Sequence, residues 1–337
     1  MHDELISIRD LRVSFVSDAG VARVLDGVDL AMRTGEIRGL VGESGCGKTT
    51  LARAILGILP RDAARIESGT IHFQGADLLH LPEDRLAGEV RGRKIAYIPQ
   101  DPSTAFNPVF TIGTQILDLL RFKSPLLEQK ELGTRARRQR DLARVQEYLR
   151  LVQLPNPETV LEKYPHEVSG GQRQRLMIAM ALLTEPRLVI ADEPTTALDV
   201  TVQAQILKLL KELARDQGVA VLFTTHDLGA AYEICDRITV MYAGQEVEEA
   251  PVGAFFERPS HPYTRKLLDS LPSSAAAIRG IAGEIPRLID PPPGCRFHPR
   301  CERASDACRS VRPAPSLVEP DHVVRCHHPL HETETVA

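Results

Sequence analysis

A short apolar strand that runs straight into a glycine-rich loop and then a helix constrains this chain more than any other feature. IRGLV at 37 to 41 leads into GESGCGKTT at 42 to 50, and LARAILGIL follows with helix-forming residues. The run fits G-x-x-x-x-G-K-[ST] in the strand-loop-helix context that the pattern requires. Gly42, Gly45 and Gly47 let the backbone turn its N–H groups inward around phosphate oxygens, and the positive end of the following helix faces the same anion. Lys48 can reach the outer phosphates and Thr49 can ligate Mg²⁺; Ser44, Cys46 and Thr50 complete the residues expected at nucleotide. Cys46 admits two readings, a thiol whose oxidation alters nucleotide binding or an indifferent loop residue.

A second strand of the same kind, LVIADEP at 188 to 194, ends in two carboxylates. A buried strand delivering Asp192 at its C-terminal end supplies the second Mg²⁺-holding group that a phosphate loop needs. Glu193 points differently along the chain and is placed to polarise a water against the terminal phosphate. Between the two strands, VSGGQRQRLMIAMAL at 168 to 182 puts Ser169, Gly170, Gly171 and Gln172 at the start of a helix, a hydroxyl and a dipole aimed at another anion.

The surrounding pattern predicts an α/β protein. Short β-branched runs fill the first hundred residues (Leu5 to Ile8, Val13 to Val16, Thr70 to Phe73, Ile95 to Ile98). Residues 111 to 183 turn helical, and strands return at 188 to 191, 219 to 223 and 238 to 241. The stretch TVQAQILKLLKELAR sets Val202, Ile206, Leu209, Leu210 and Leu213 on one helical stripe, so strand, helix and strand alternate as in a parallel sheet. The Arg-heavy segment at 134 to 145 reads as a solvated helix face or as a contact to anionic headgroups or membrane subunits. Beyond about residue 250, Pro, His and Cys accumulate and a second domain is expected, with Ser273 to Ala277 as a short linker.

Composition removes several classes. Forty-one Lys and Arg against 45 Asp and Glu give a net charge of −4, so no global basic field argues for nucleic acid. No stretch approaches the roughly 20 apolar residues of a membrane span. The acidic opening MHDELISIRD lacks the apolar region of a secretory signal, which implies a reducing compartment. There, Cys295, Cys301, Cys308 and Cys326, spaced C-x5-C-x6-C-x17-C, read as a metal or iron-sulfur site before disulfides. Four thiolates suit a tetrahedral zinc ion or a [4Fe-4S] cluster, and reduced unliganded thiols are the third reading.

With SGGQ lying 23 residues ahead of Asp192, the sequence resembles the ATP-binding-cassette (ABC) ATPases, whose signature is LSGGQ; Val168 replaces the usual Leu. The resemblance spans residues 5 to 250 and implies a P-loop ATPase with a RecA-like core, an antiparallel β subdomain and a helical signature subdomain at about 104 to 185. It also implies roles for further residues. Gln100 in YIPQDP resembles the Q-loop glutamine that contacts metal and water. TALD at Thr196 to Asp199 resembles the D-loop of the dimer interface, and His226 in FTTHDL the switch histidine at the terminal phosphate. Phe15 either stacks on adenine, as the family implies, or is a strand core residue.

In that family two cassettes bind head to tail, each ATP lying between one phosphate loop and the opposite SGGQ. The tail from 251 to 337, with His261, Pro262 and Tyr263 opening a helix, resembles the C-terminal extension of ATPase subunits of bacterial dipeptide, oligopeptide and nickel importers. This implies ATP and Mg²⁺ as ligands, a [4Fe-4S] cluster with zinc as the alternative, and a place at the cytoplasmic face of the cell membrane. The implied partners are a second cassette, by that resemblance a paralogue, two transmembrane permease subunits and, through them, an extracytoplasmic solute-binding protein. Nickel or another solute, or a soluble ABC ATPase outside transport, are the competing readings.

Overall fold

A computed structural model describes residues 4–129, 131–195, 199–271 and 280–331. Among the described residues there are twelve strands: β1 (Glu4–Ser17), β2 (Gly20–Arg33), β3 (Ile37–Val41), β4 (Ala64–Phe73), β5 (Ala76–Asp77), β6 (Ile95–Ile98), β7 (Leu188–Asp192), β8 (Ala220–Thr225), β9 (Arg237–Tyr242), β10 (Gln245–Pro251), β11 (Ser316–Glu319) and β12 (His322–Val324). They fall into two compact units. The first comprises residues 1–33, 37–80 and 223–337, the second 34–36 and 81–222, so that β8 starts in the second and ends in the first. The expected linker at Ser273 to Ala277 lies outside the described residues.

In the first unit β1 forms the centre of an antiparallel sheet of order β2-β1-β4-β5. Its Leu5, Ile6, Ile8, Leu11 and Val13 are buried, so the strand predicted in two pieces is continuous through a left-handed residue, Asp10. The other sheet of this unit runs β11-β12-β10-β9-β3. β3 lies parallel to β9, with Leu40 opposite Thr239 and Val41 opposite Val240, and is buried along its whole length. From Val41 the chain enters the glycine-rich loop and then the helix Lys48–Leu56, which buries Leu51, Ala52, Ala54, Ile55 and Leu56.

Residues beyond 250 pack within this same unit. Glu248 on β10 gathers their first turn: its carboxylate accepts from the N–H of Ser260 (2.6 Å) and of His261 (2.8 Å) and from His322 Nε2 (2.7 Å). Burial alone would push the Glu248 pKa up, but these hydrogen bonds hold it below its ordinary value. Cys46 and the cysteines beyond 290 are all free thiols.

In the second unit β6 and β7 pair in parallel, Ile95 to Ile98 against Leu188 to Ala191. Its helices include Ile112–Lys123, Thr134–Leu151, Gly170–Leu182 and Val200–Gln217. The last buries Ile206, Leu209, Leu210 and Leu213 of the expected stripe, together with Leu207 and Ala214. The Arg-rich helix is anchored by its other face, through buried Val145, Tyr148 and Leu149, while Arg144 donates to Glu185 (2.6 Å) and to Leu183 O (2.9 Å). Among the described residues no helix is long and apolar enough to cross a membrane.

Replacing Glu248 by Ala is expected to lower unfolding stability by about 3 kcal/mol or more, because buried donors lose their acceptor. The ionised carboxylate is the form these donors hold. Its contribution is therefore present above the ordinary value of 4.5 and is lost as pH falls through the lowered value. Urea unfolding of the wild-type chain and of Glu248→Ala between pH 3 and 7, as a span of about four units around the carboxylate range, checks both statements.

Candidate nucleotide site

The loop at 42 to 50 is shaped by its glycines. Gly42 leaves β3 at φ 154°, and a Cβ there would lie 2.2 Å from Met241 O on β9, so no other residue fits. Gly45 and Gly47 are also left-handed, and Gly47 caps the helix that begins at Lys48. Lys48 is buried, and its ammonium donates to Gly42 O (2.8 Å) and Glu43 O (3.3 Å), which centres the charge inside the loop. Ser44 and Gly45 face solvent, and Thr49 and Thr50 are half-buried in the helix's first turn. The backbone closes on itself through Cys46 N to Glu43 O (3.3 Å) and is tied to the β9–β10 turn by Gly244 N donating to Cys46 O (2.9 Å).

Cys46 itself points inward. It is 1% exposed, its Sγ is 3.8 Å from Lys48 Nζ, and burial pushes its thiol up despite the nearby ammonium. That environment favours the indifferent reading of this thiol over the redox-sensitive one. In the same unit Phe15 is half-buried on β1 opposite Ala22 and Ala64, and His226 is exposed just after β8. Asp227 holds the following turn by accepting from Gly229 N (2.9 Å) and Ala230 N (3.1 Å).

The second unit brings the carboxylates together with Gln100. β7 delivers Asp192 buried, and Tyr97 on β6 donates its hydroxyl to Asp192 Oδ2 at 3.0 Å. Glu193 leaves the strand in the left-handed region (φ 48°), a conformation few residues with a side chain adopt. Gln100 Nε2 donates to Glu193 Oε2 at 2.9 Å. Tyr97 was not among the expected site residues. Its signal is its place three positions ahead of Gln100 on a strand that pairs in register with β7, Tyr97 opposite Ile190.

SGGQ forms a reciprocal cap. Ser169 Oγ accepts from Gln172 N (3.2 Å), and Gln172 Oε1 accepts from Ser169 N (2.9 Å). Ser169, Gly171, Gln172 and Asp199 line one open hollow of about 300 Å³. Asp199 caps the helix Val200–Gln217 through Val202 N (3.0 Å), and Arg175 walls the hollow by donating to Gln153 O (2.8 Å) and Gln205 (2.8 Å). Thr196 to Leu198 of the expected D-loop lie outside the described residues.

Cys295, Cys301, Cys308 and Cys326 line one small cavity of about 10 Å³ with His261 and Phe297. Gly294 makes the turn that begins this set, since a Cβ there would meet Cys308 O at 2.4 Å, and Cys295 N donates to that same oxygen (2.9 Å). Burial raises the thiol pKa of Cys295 to about 11 and of Cys326 to about 12. Among the described residues no three His, Cys, Asp or Glu side chains stand as a ready metal-ligating group.

These features together define a class. The ABC transporter family matches residues 25–196, and the chain belongs to it: it is an ABC-type ATPase. Residues 247–308 match the oligopeptide/dipeptide transporter C-terminal region, which places the chain in the branch carrying that extension. A probable peptide ABC transporter ATP-binding protein of Sinorhizobium fredii is 46% identical, over 96% of this chain and 95% of its own length. A dipeptide transport ATP-binding protein of Bacillus subtilis is 42% identical, over 96% and 94%. Among solved structures, a dimeric post-hydrolysis ATP-binding cassette bound to ADP and Pi is similar at TM-score 0.63 and 27% identity, covering 73% of this chain and 98% of that one.

The buried thiol gives a direct test of the loop. In the native protein, alkylation of Cys46 by iodoacetamide is expected to run at least about tenfold slower than in the denatured chain. Peptide mass spectrometry over a time course measures the ratio.

Proposed function

We propose that this chain is the ATP-binding and ATP-hydrolysing subunit that powers import of dipeptides or oligopeptides through an ABC permease. The observation that carries the catalytic part of this reading is the Gln100–Glu193 hydrogen bond at 2.9 Å, which ties the residue read as contacting metal and water to the residue read as acting on that water. The peptide cargo rests on the C-terminal region at 247–308 and on the names of the relatives above.

In this reading Lys48 and the N–H groups of the loop at 42 to 50 bind the phosphates, with Phe15 at the adenine. Mg²⁺, when bound, neutralises charge on the outer phosphates, and Thr49, Asp192 and Gln100 are the residues to hold it. Glu193 accepts a proton from the attacking water as the water oxygen bonds to the terminal phosphorus and the bond from that phosphorus to the bridging oxygen breaks, releasing ADP, and His226 orients that water. Ser169, Gly170, Gly171, Gln172 and Asp199 serve the nucleotide held by a second cassette, proposed to be a paralogue, and the open hollow that all of them but Gly170 line suits that use. ATP closes the pair, closure passes through the Gln100 region to two permease subunits, and hydrolysis reopens it. The pair sits peripherally at the cytoplasmic face, and a solute-binding protein delivers cargo from the other side.

The four clustered thiols are proposed to hold a [4Fe-4S] cluster, with zinc as the alternative, because all four line one cavity. Binding would displace the protons that burial now favours. A Pro-rich segment with few apolar residues gains folding energy from such a centre, so its role is structural or regulatory before redox-catalytic.

Glu193→Gln in the assembled complex is expected to leave ATP binding within about twofold and to reduce steady-state hydrolysis by about a hundredfold or more. Undiminished turnover removes the assigned role. For the thiols, anaerobic purification followed by iron, acid-labile sulfide and zinc determination is expected to return iron and sulfide. Zinc without sulfide selects the alternative, and absence of all three removes the metal centre while leaving the ATPase reading intact.

A further inference from the structure

Glu43, the second residue of the phosphate loop, is held from outside the loop by two residues of the C-terminal extension. Its N–H donates to the Tyr263 hydroxyl at 3.0 Å. Its carboxylate receives both terminal nitrogens of Arg300, at 2.8 and 3.2 Å, in the bidentate geometry that fixes a carboxylate in orientation as well as position. The Glu43 carbonyl is meanwhile an acceptor for Lys48 Nζ and Cys46 N. One residue therefore links the extension to the interior of the loop.

Both holders are themselves fixed. Tyr263 is fully buried, with its ring 4.6 Å from that of Tyr242 and 5.3 Å from that of Phe297, centroid to centroid. The Arg300 side chain is 3% exposed and donates to Tyr242 Oη (3.2 Å), Ala282 O (3.0 Å) and Ile281 O (3.0 Å). A second brace runs parallel to the first. Arg296 donates to Asp26 (2.9 Å), to Arg23 O (3.2 Å) and to Ala243 O, beside the Gly244 N–H that holds Cys46 O. All of these residues belong to one compact unit.

We propose that Tyr263 and Arg300 are positioning residues for nucleotide binding, fixing Glu43 so that the C-terminal extension sets the affinity of the phosphate loop for ATP. Two physical effects support it. A loop that binds phosphate through inward-facing N–H groups binds more tightly when its curvature is preset, because less ordering remains to be done on binding. Arg300 also neutralises Glu43; without it a carboxylate would stand in the loop that receives a polyanion.

The test uses the assembled complex, reading the ATP KM and kcat of hydrolysis, the affinity for a fluorescent trinitrophenyl-ATP, and the thermal midpoint. Tyr263→Phe removes one oxygen and is expected to raise KM and weaken the analogue by about three- to tenfold with kcat within about twofold. Arg300→Gln is expected to weaken binding by about tenfold or more, and adding Glu43→Gln to it is expected to recover most of that loss, because the unpaired charge is gone. Affinity within twofold of wild type in folded Tyr263→Phe and Arg300→Gln overturns the proposal. So does a fall in thermal midpoint with no change in affinity, or a double variant no better than Arg300→Gln alone. Should Arg300→Gln not fold, Tyr263→Phe decides the matter. None of these readouts involves cargo, so a failure of the peptide reading leaves them unaffected.

Discussion

The closeness of Met241 O to the Cα of Gly42 is the constraint on which the nucleotide-binding half of the structure depends. β3 keeps parallel register with β9 up to Val41 opposite Val240, and the chain leaving β3 must turn across the carbonyl of Met241 with no room for a side chain. That turn sets the starting direction of the loop. Lys48 then returns its ammonium to the carbonyls of Gly42 and Glu43, and Gly244 N ties down Cys46 O. The phosphate loop is thus the consequence of strand register, and the helix beginning at Lys48 inherits its aim.

Buried charge, beside the packing of Tyr263 and Phe297 on Tyr242, joins the terminal extension to this frame. β10 has the sequence QEVEEAP, and its three glutamates are all engaged: Glu246 with Arg325 and Asp29 N, Glu248 with His322 and two backbone N–H groups, Glu249 with Arg38 and Arg237. Arg296 and Arg300 repeat the scheme from the cysteine-bearing segment, toward Asp26 and Glu43. Such contacts are directional and costly to leave half made, so they specify one arrangement of a segment that has little core of its own.

This pattern also explains what could be read from the residues beforehand. GESGCGKTT, LVIADEP and VSGGQ were legible because each needs particular residue types at fixed spacing, and the family they point to is the one to which the chain belongs. β2 and β10 were not legible. Arg23, Asp26 and Asp29 in one, and three glutamates in the other, hide the alternation that marks a strand, and the burial of Glu246 and Glu248 makes sense only once the distant arginine and histidine that pair with them are in place. Tyr97 on Asp192, and Tyr263 and Arg300 on Glu43, were hidden for the same reason. Each is a contact across 95 residues or more, which no local periodicity encodes. The spacing of the four cysteines suggested a common centre without showing that they line a single cavity, which follows from the turn at Gly294.

The proposed function is a division of labour: one chain offers a phosphate loop and, elsewhere, an SGGQ hollow, and each is proposed to work only with its counterpart from another cassette. The most direct measurement is ATP hydrolysis per mole of chain as the cassette pair is diluted through its dissociation, with the association state followed by sedimentation in the same samples. The account expects the specific activity to fall toward zero as monomers replace pairs. A strictly monomeric sample that hydrolyses ATP at the undiminished rate would contradict it.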